Sequence, residues 1–168
     1  MELYILRHAI AEDREKFRAK SWDDSKRPLS DSGKKKFKKM SAHLKKIIGS
    51  VDIILTSPYL RAQQTSSLLS KDFSKTKIVI SESLIPTKNP EDFVKWCNLN
   101  LKKKTSKLII VGHEPHLSIL TSWLLFGSYQ SRITLKKGGC ISINIKDTLG
   151  ADSGVLQWSI NPKVLDLT

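Results

Sequence analysis

Acidic residues are scarce in this chain, 16 Asp and Glu against 29 Lys and Arg over 168 residues, so the formal charge is +13. A basic balance of that size admits a polyanionic partner such as nucleic acid, an acidic membrane or a phosphorylated protein. Arginine is the rarer cation, six against 23 lysines. Base and phosphate readers rely on arginine forks, so nucleic-acid binding is not expected. Cysteine is nearly absent: Cys97 and Cys140 form neither a metal spacing nor a disulfide framework, and both are read as core thiols of a reduced, intracellular protein. Long apolar runs are missing too. The longest, Leu117 to Phe126, is about half a membrane span, and the first residues lack the pattern of a signal peptide. No membrane association and a cytoplasmic location are expected. The apolar content of 39% argues against disorder.

What is present alternates. Strand-like runs occur at Leu3–Leu6, Val51–Thr56, Lys77–Ser81, Leu108–Val111, Cys140–Ile145 and Val155–Ile160. Between them lie helical patterns. Residues 31–48 put Phe37, Met40, Leu44, Ile47 and Ile48 on one face and lysines on the other, with Ser30 as N-cap and Gly49 as the stop. Ser57-Pro58 opens a second helix, with proline at its first position and Ser57 as its cap, running to Leu69. Further helices are expected over Pro90–Leu101 and Pro115–Phe126. This order predicts a three-layer α/β/α sandwich with a mostly parallel central sheet and an antiparallel C-terminal strand, the last two strands joined by a turn at 147–154. One domain over residues 1–168 is expected. The long irregular stretch 9–30, holding Trp22 and Pro28, is read as functional. Trp22 packs or floors a substrate site. Trp96 packs.

In parallel sheets ligands sit beyond the carboxyl ends of the strands. Three such ends carry Arg7-His8, Ser57-Pro58-Tyr59-Leu60-Arg61 and Gly112-His113-Glu114-Pro115. Two arginines and two histidines would thus converge on one crevice. A neutral imidazole can attack phosphorus, guanidinium groups nearby disfavour its protonation, and their forks hold phosphoryl oxygens. Arg61 adds its charge near a helix N-terminus.

The run Leu6-Arg7-His8-Ala9 after a first strand resembles the signature of the histidine phosphatase superfamily, which includes the phosphoglycerate mutases. Arg27-Pro28-Leu29-Ser30-Asp31-Ser32-Gly33, the segment from Leu55 to Thr65, Val111-Gly112-His113 and the closing Trp158 to Pro162 resemble it in the same order. Within the superfamily the chain is most similar to the short SixA-type phosphohistidine phosphatases. The resemblance implies His8 as nucleophile, Arg7 and Arg61 as phosphate-binding residues, and His113 as a donor to the phosphoryl oxygens. It implies a hydrolase that needs neither cofactor nor metal and takes a phosphohistidine-bearing protein as substrate, through a phospho-His8 intermediate. A monomer is expected.

A general acid is harder to assign. Ser81-Glu82-Ser83-Leu84-Ile85-Pro86 resembles the SixA-type version, which lacks that acid; Glu82 is the nearest candidate, with Glu12, Asp13 and Glu114 as further carboxylates. His116 does not complete a zinc motif and is placed at the surface or partly buried, or else at the rim of the site; His43 is expected in solvent. Two other readings remain open. One is a phosphatase for small phosphorylated metabolites or phospho-Ser/Thr on the same fold; the other is a non-catalytic basic module binding phosphoproteins or nucleic acid. A mutase is disfavoured, because only 51 residues separate Arg61 from His113. The lysines of residues 31–49 and 102–107 read as solvated helix backs and ends, or as a surface for an acidic protein.

Overall fold

A computed structural model describes residues 1–20, 23–102 and 104–167. The strands are β1 (Glu2–Arg7), β2 (Ile53–Thr56), β3 (Lys77–Ile80), β4 (Lys107–Gly112), β5 (Cys140–Ile145) and β6 (Gly154–Ile160). They form one sheet in the order β3-β2-β4-β1-β5-β6. The first four are parallel; β5 runs antiparallel to β1 and β6 antiparallel to β5. The helices are α1 (Arg14–Arg18), α2 (Asp31–Ile48), α3 (Leu60–Leu69), α4 (Pro90–Asn100) and α5 (His116–Phe126). No helix among the described residues is long and apolar enough to cross a membrane.

The central strands are apolar on both faces because helices cover both. Leu3, Ile5, Leu108 and Ile110 pack with Phe93 and Cys97 of α4 and Leu117, Leu120 and Leu124 of α5. Tyr4, Leu6, Ile109 and Val111 face the other way, onto Phe37, Met40 and Leu44 of α2 and Ala62 and Leu69 of α3. The expected three layers follow, and Cys97 and Cys140 lie within them. Trp96 packs at the margin of the first layer. Trp22 lies outside the described residues.

Local signals placed most ends. The Ser30 hydroxyl accepts from Gly33 N at 3.1 Å, and Gly49 closes α2 at φ 76°. Three expectations need correction. Ile47 is 44% exposed, since the core-facing stripe passes through Leu44 and Ile48 with Ser41 beside them. Helix α3 starts at Leu60, not at Pro58: Ser57 turns the chain by accepting from Tyr59 N at 3.3 Å, and Tyr59 is the N-cap. Within 9–30 the chain forms α1 and a 3₁₀ turn, Asp24–Lys26, capped by the Asp13 and Asp23 side chains.

Strands β1 and β4 are adjacent and parallel, Arg7 opposite Gly112. The helix reached from β1 lies on one face and the helix following β4 on the other. Diverging connections open a crevice at the carboxyl ends of these strands.

Candidate active site

His8 is the first residue beyond β1 and His113 the first beyond β4, their ring centroids 5.0 Å apart. Arg61, in the first turn of α3, enters from the neighbouring strand end. Together with Arg7 they line a crevice of about 810 Å³, also bordered by Asp24, Arg27, Tyr59, Thr87, Glu114 and Lys137. The four residues singled out from the sequence are therefore brought together.

His8 is pinned from several sides. Its N–H donates to Gly112 O at 3.1 Å, and its carbonyl accepts from Gly138 N at 3.1 Å. Gly138 makes that bond at φ 76°, a backbone state that glycine adopts freely. Thr65 of α3 accepts from Ala9 N at 3.0 Å and donates to Arg61 O at 2.7 Å, while Gln64 Oε1 accepts from Leu29 N at 2.7 Å. The polar residues of α3 thus tie the loop that begins at His8 to the helix that carries Arg61.

The His8 Nδ1 lies 2.7 Å from Ala9 O, which can only accept, so the proton is assigned to Nδ1. The lone pair is then on Nε2, met by Arg61 Nε at 3.2 Å. Burial drives the imidazole pKa down to about 3, and the charges of Arg61, Arg7 and Arg27 push it the same way against the opposing Ala9 bond. Burial, more than the arginines the sequence suggested, keeps the ring neutral. His113 is lowered to about 2, again chiefly by burial. Its Nε2 lies 2.9 Å from Ser57 Oγ, and its Nδ1 is buried without a partner. Arg7 gives Nη1 to Leu135 O at 2.7 Å and leaves its buried Nε unpaired. Unsatisfied buried polar atoms cost stability unless a ligand meets them. Two such nitrogens beside His8 suit an oxyanion.

Arg61 is held by a partner that sequence reasoning missed. Its Nη2 meets Asp24 Oδ2 at 2.9 Å and its Nη1 donates to Asp24 O at 2.6 Å. Asp24 Oδ1 also takes Arg27 Nε at 2.8 Å. Partial burial pushes that carboxyl up, yet the Arg27 hydrogen bond and the charge of Arg61 outweigh it and hold the pKa below the usual range. Arg27 itself is buried and fixed by Glu12 O at 2.8 Å. The only sequence signal for Asp24 was its spacing, three residues before Arg27. Lys137 was signalled by nothing but the Gly-Gly pair after it.

Glu82 is exposed and lines a different depression, with Lys88 and Trp96, so the structure does not bring this candidate acid to His8. Glu114 does border the crevice, but its oxygens are engaged by Ser118 Oγ and by Leu135 N at 3.2 Å. Asp13 caps α1 and is held below its ordinary pKa by Lys16 N. His116 is fully buried in α5, away from surface and rim alike, because α5 is enclosed around nearly its whole first turn. His43 is half-buried. Among the described residues no three His, Cys, Asp or Glu side chains cluster as metal ligands.

Residues 3–88 match the histidine phosphatase superfamily (branch 1). An uncharacterized protein of Picosynechococcus sp. is 32% identical over 143 residues, 85% of this chain and 84% of that protein. The structure of the protein histidine phosphatase SixA complexed with tungstate superposes with a TM-score of 0.83 at 21% identity, covering 98% of this chain and 99% of that one. The alpha-ribazole phosphatase from Shigella flexneri gives 0.67 at 18% identity, over 90% and 94%.

Proposed function

The chain belongs to the histidine phosphatase superfamily, branch 1, and from this premise we propose that it hydrolyses protein-borne phosphohistidine through a covalent phospho-His8 intermediate. The Nε2 lone pair attacks phosphorus while the bond from phosphorus to the substrate imidazole breaks. The leaving ring takes the electron pair and departs neutral if its other nitrogen carries a proton. Water then attacks phospho-His8, the P–Nε2 pair returns to the ring, and inorganic phosphate leaves with both protons of the water. In neither step must a carboxylic acid protonate the leaving group.

The observation that carries this reading is the fixed Nδ1–H of His8 on Ala9 O, which supplies a neutral nucleophile and the proton retained when phosphate leaves. The substrate class is supported by the crevice carboxylates: Asp24, Glu114 and Asp13 are all engaged by cations, by a hydroxyl or by backbone N–H groups, and among the described residues only the exposed Glu12 on the crevice border is left without a bonded partner. An alkyl ester would need one of them free as an acid. Arg7 Nε, Arg61 Nε and His113 Nδ1 are the donors offered to the phosphoryl oxygens. We assign the charge compensation to these side chains without a metal.

The test is phosphate release from a phosphohistidine protein, a phosphoserine peptide and a set of sugar phosphates, each with and without chelator. The first substrate should be preferred, chelator should not matter, and His8→Ala should lose at least about a thousandfold in kcat along with an acid-labile phosphoenzyme. Preference for an alkyl ester would overturn the substrate class. Turnover surviving in His8→Ala would overturn the nucleophile.

A further inference from the structure

The lysines are not spread evenly over solvated faces. A groove runs between the outer strand β3 and helix α4. At one end lie Val79, Trp96, Lys77, Lys102 and Lys104; at the other lie Ile80, Leu99, Lys95 and Lys88. Trp96 and Asn100 belong to both halves, so the depressions share a wall. Leu99 is 75% exposed and Ile80 56%, large apolar side chains left in water beside a half-buried tryptophan. Strand β3 pairs with β2 alone, and its outer edge has no strand partner among the described residues.

Cations outnumber acids along the groove, Lys77, Lys88, Lys95, Lys102 and Lys104 against Asp52, Glu82 and Asp92. Among the described residues Lys77, Lys95, Lys102 and Lys104 have no carboxylate within ion-pair distance. Two of the three acids are already committed: Asp52 accepts from Ser106 N and Lys107 N at 2.8 and 2.9 Å, and Asp92 accepts from Asn89 N and faces Lys88, which leaves Glu82 as the one uncommitted carboxylate. The groove ends near the active site, for Lys88 directly follows Thr87, which borders the crevice. An aromatic and aliphatic floor with unpaired cations along it matches a partner carrying apolar side chains flanked by carboxylates.

We propose that the β3–α4 groove docks an acidic, apolar-centred surface of the phosphoprotein substrate, which then presents its phosphohistidine to the adjacent crevice. This rests on the phosphohistidine reading above and extends it by naming where the protein part of the substrate is held. Binding energy gathered there acts on protein substrates only. A free phosphoramidate ion reaches His8 without touching Trp96.

The experiment compares wild type with Leu99→Glu and with Lys95→Glu/Lys102→Glu, all surface changes away from the catalytic groups. Substrates are a phosphohistidine protein with an acidic face around its phosphohistidine, and phosphoramidate. Each variant should lose about tenfold in kcat/KM on the protein, mainly through KM, with phosphoramidate turnover unchanged. Raising salt should depress wild-type turnover of the protein and not of the ion. Equal loss on both substrates, or no loss on the protein, would overturn the docking site while leaving the phosphohistidine reading intact. A wild type that hydrolyses neither substrate would remove that reading and the proposal with it. Sedimentation of wild type as a dimer, dissociated by Leu99→Glu without change in protein turnover, would reassign the groove to a second copy of the chain.

Discussion

His116 should make this protein sensitive to mild acid, and His116→Leu should relieve the sensitivity. The side chain is fully buried, and neither ring nitrogen has a hydrogen-bond partner of ordinary geometry, although the nearby Asn89 backbone and the Asp92 charge favour the protonated ring against burial. Burial lowers its pKa from 6.5 to about 4. The unfolded chain therefore binds a proton near pH 6.5 that the folded chain refuses until about pH 4. Stability from this group is present above pH 6.5 and lost as pH falls toward 4. Linkage gives a loss of about 2 kcal/mol between pH 7 and pH 5, approaching about 3 kcal/mol at pH 4. Leucine replaces a ring whose buried nitrogens lack hydrogen-bond partners of ordinary geometry, so the variant should be close to neutral at pH 7. Urea denaturation of both proteins at pH 7 and pH 5 measures the difference. The variant should lose about 2 kcal/mol less than wild type over that interval. Equal losses would mean that the ring is solvated or hydrogen-bonded in the folded state, and would refute the reasoning.

Two further substitutions probe the scaffold of the site. Asp24→Asn puts an amide where Arg61 and Arg27 require an anion; the loss of about 2 kcal/mol in transition-state stabilisation should appear as roughly thirtyfold in kcat/KM on phosphoramidate. Unchanged kinetics would show that Arg61 is positioned without it. Gly33→Ala would place a Cβ 2.0 Å from Ile10 O, which is itself fixed by Ser30 N, so α2 must shift away from the His8 loop. Chemical denaturation should show destabilisation of about 3 kcal/mol.

How much of this was legible in the sequence depends on the range of the signal. Strands buried on both faces, such as Leu3–Leu6 and Leu108–Val111, announce themselves as continuous apolar runs, and the rule for strand ends then brings Arg7, His8, Arg61 and His113 to one place. Short-range capping signals placed Ser30 and Gly49 but misled at Pro58, where the proline favours a helix start, yet the hydroxyl of Ser57 accepts from Tyr59 N to turn the chain and the helix begins two residues later, at Leu60. Asp24 was signalled only by its spacing from Arg27, and its role at Arg61 was hidden for a different reason. Its partner is 37 residues away, and the carboxylate sits in a stretch whose pattern has neither helical nor strand period. Glu82 shows the converse, since nearness to a motif in sequence did not carry it over the strand end into the crevice.

The arrangement of Asp24 also bears on why a site with so many cations is stable before any phosphate arrives. Arg7, Arg27, Arg61 and Lys137 border one crevice, and like charges at such range repel. Asp24 offsets two of them, through Arg61 Nη2 and Arg27 Nε, while leaving Arg61 Nε aimed at His8 Nε2. Arg7 is offset by Glu114, whose charge acts on it in the opposite sense to burial. Nothing of this kind is assigned to His8 itself, whose neighbours are cations and whose ring stays neutral. The carboxylates thus sit behind the guanidinium groups, not over His8, so in the proposed reaction an incoming phosphoryl group meets the positive sides of Arg7 and Arg61 first. An acid placed over His8 would repel that group. Engaging Asp24, Glu114 and Asp13 with donors, with the exposed Glu12 left unbonded on the crevice border, is consistent with a substrate whose leaving group needs no proton, and the ester arm of the phosphate-release assay decides whether that consistency reflects selection for phosphohistidine.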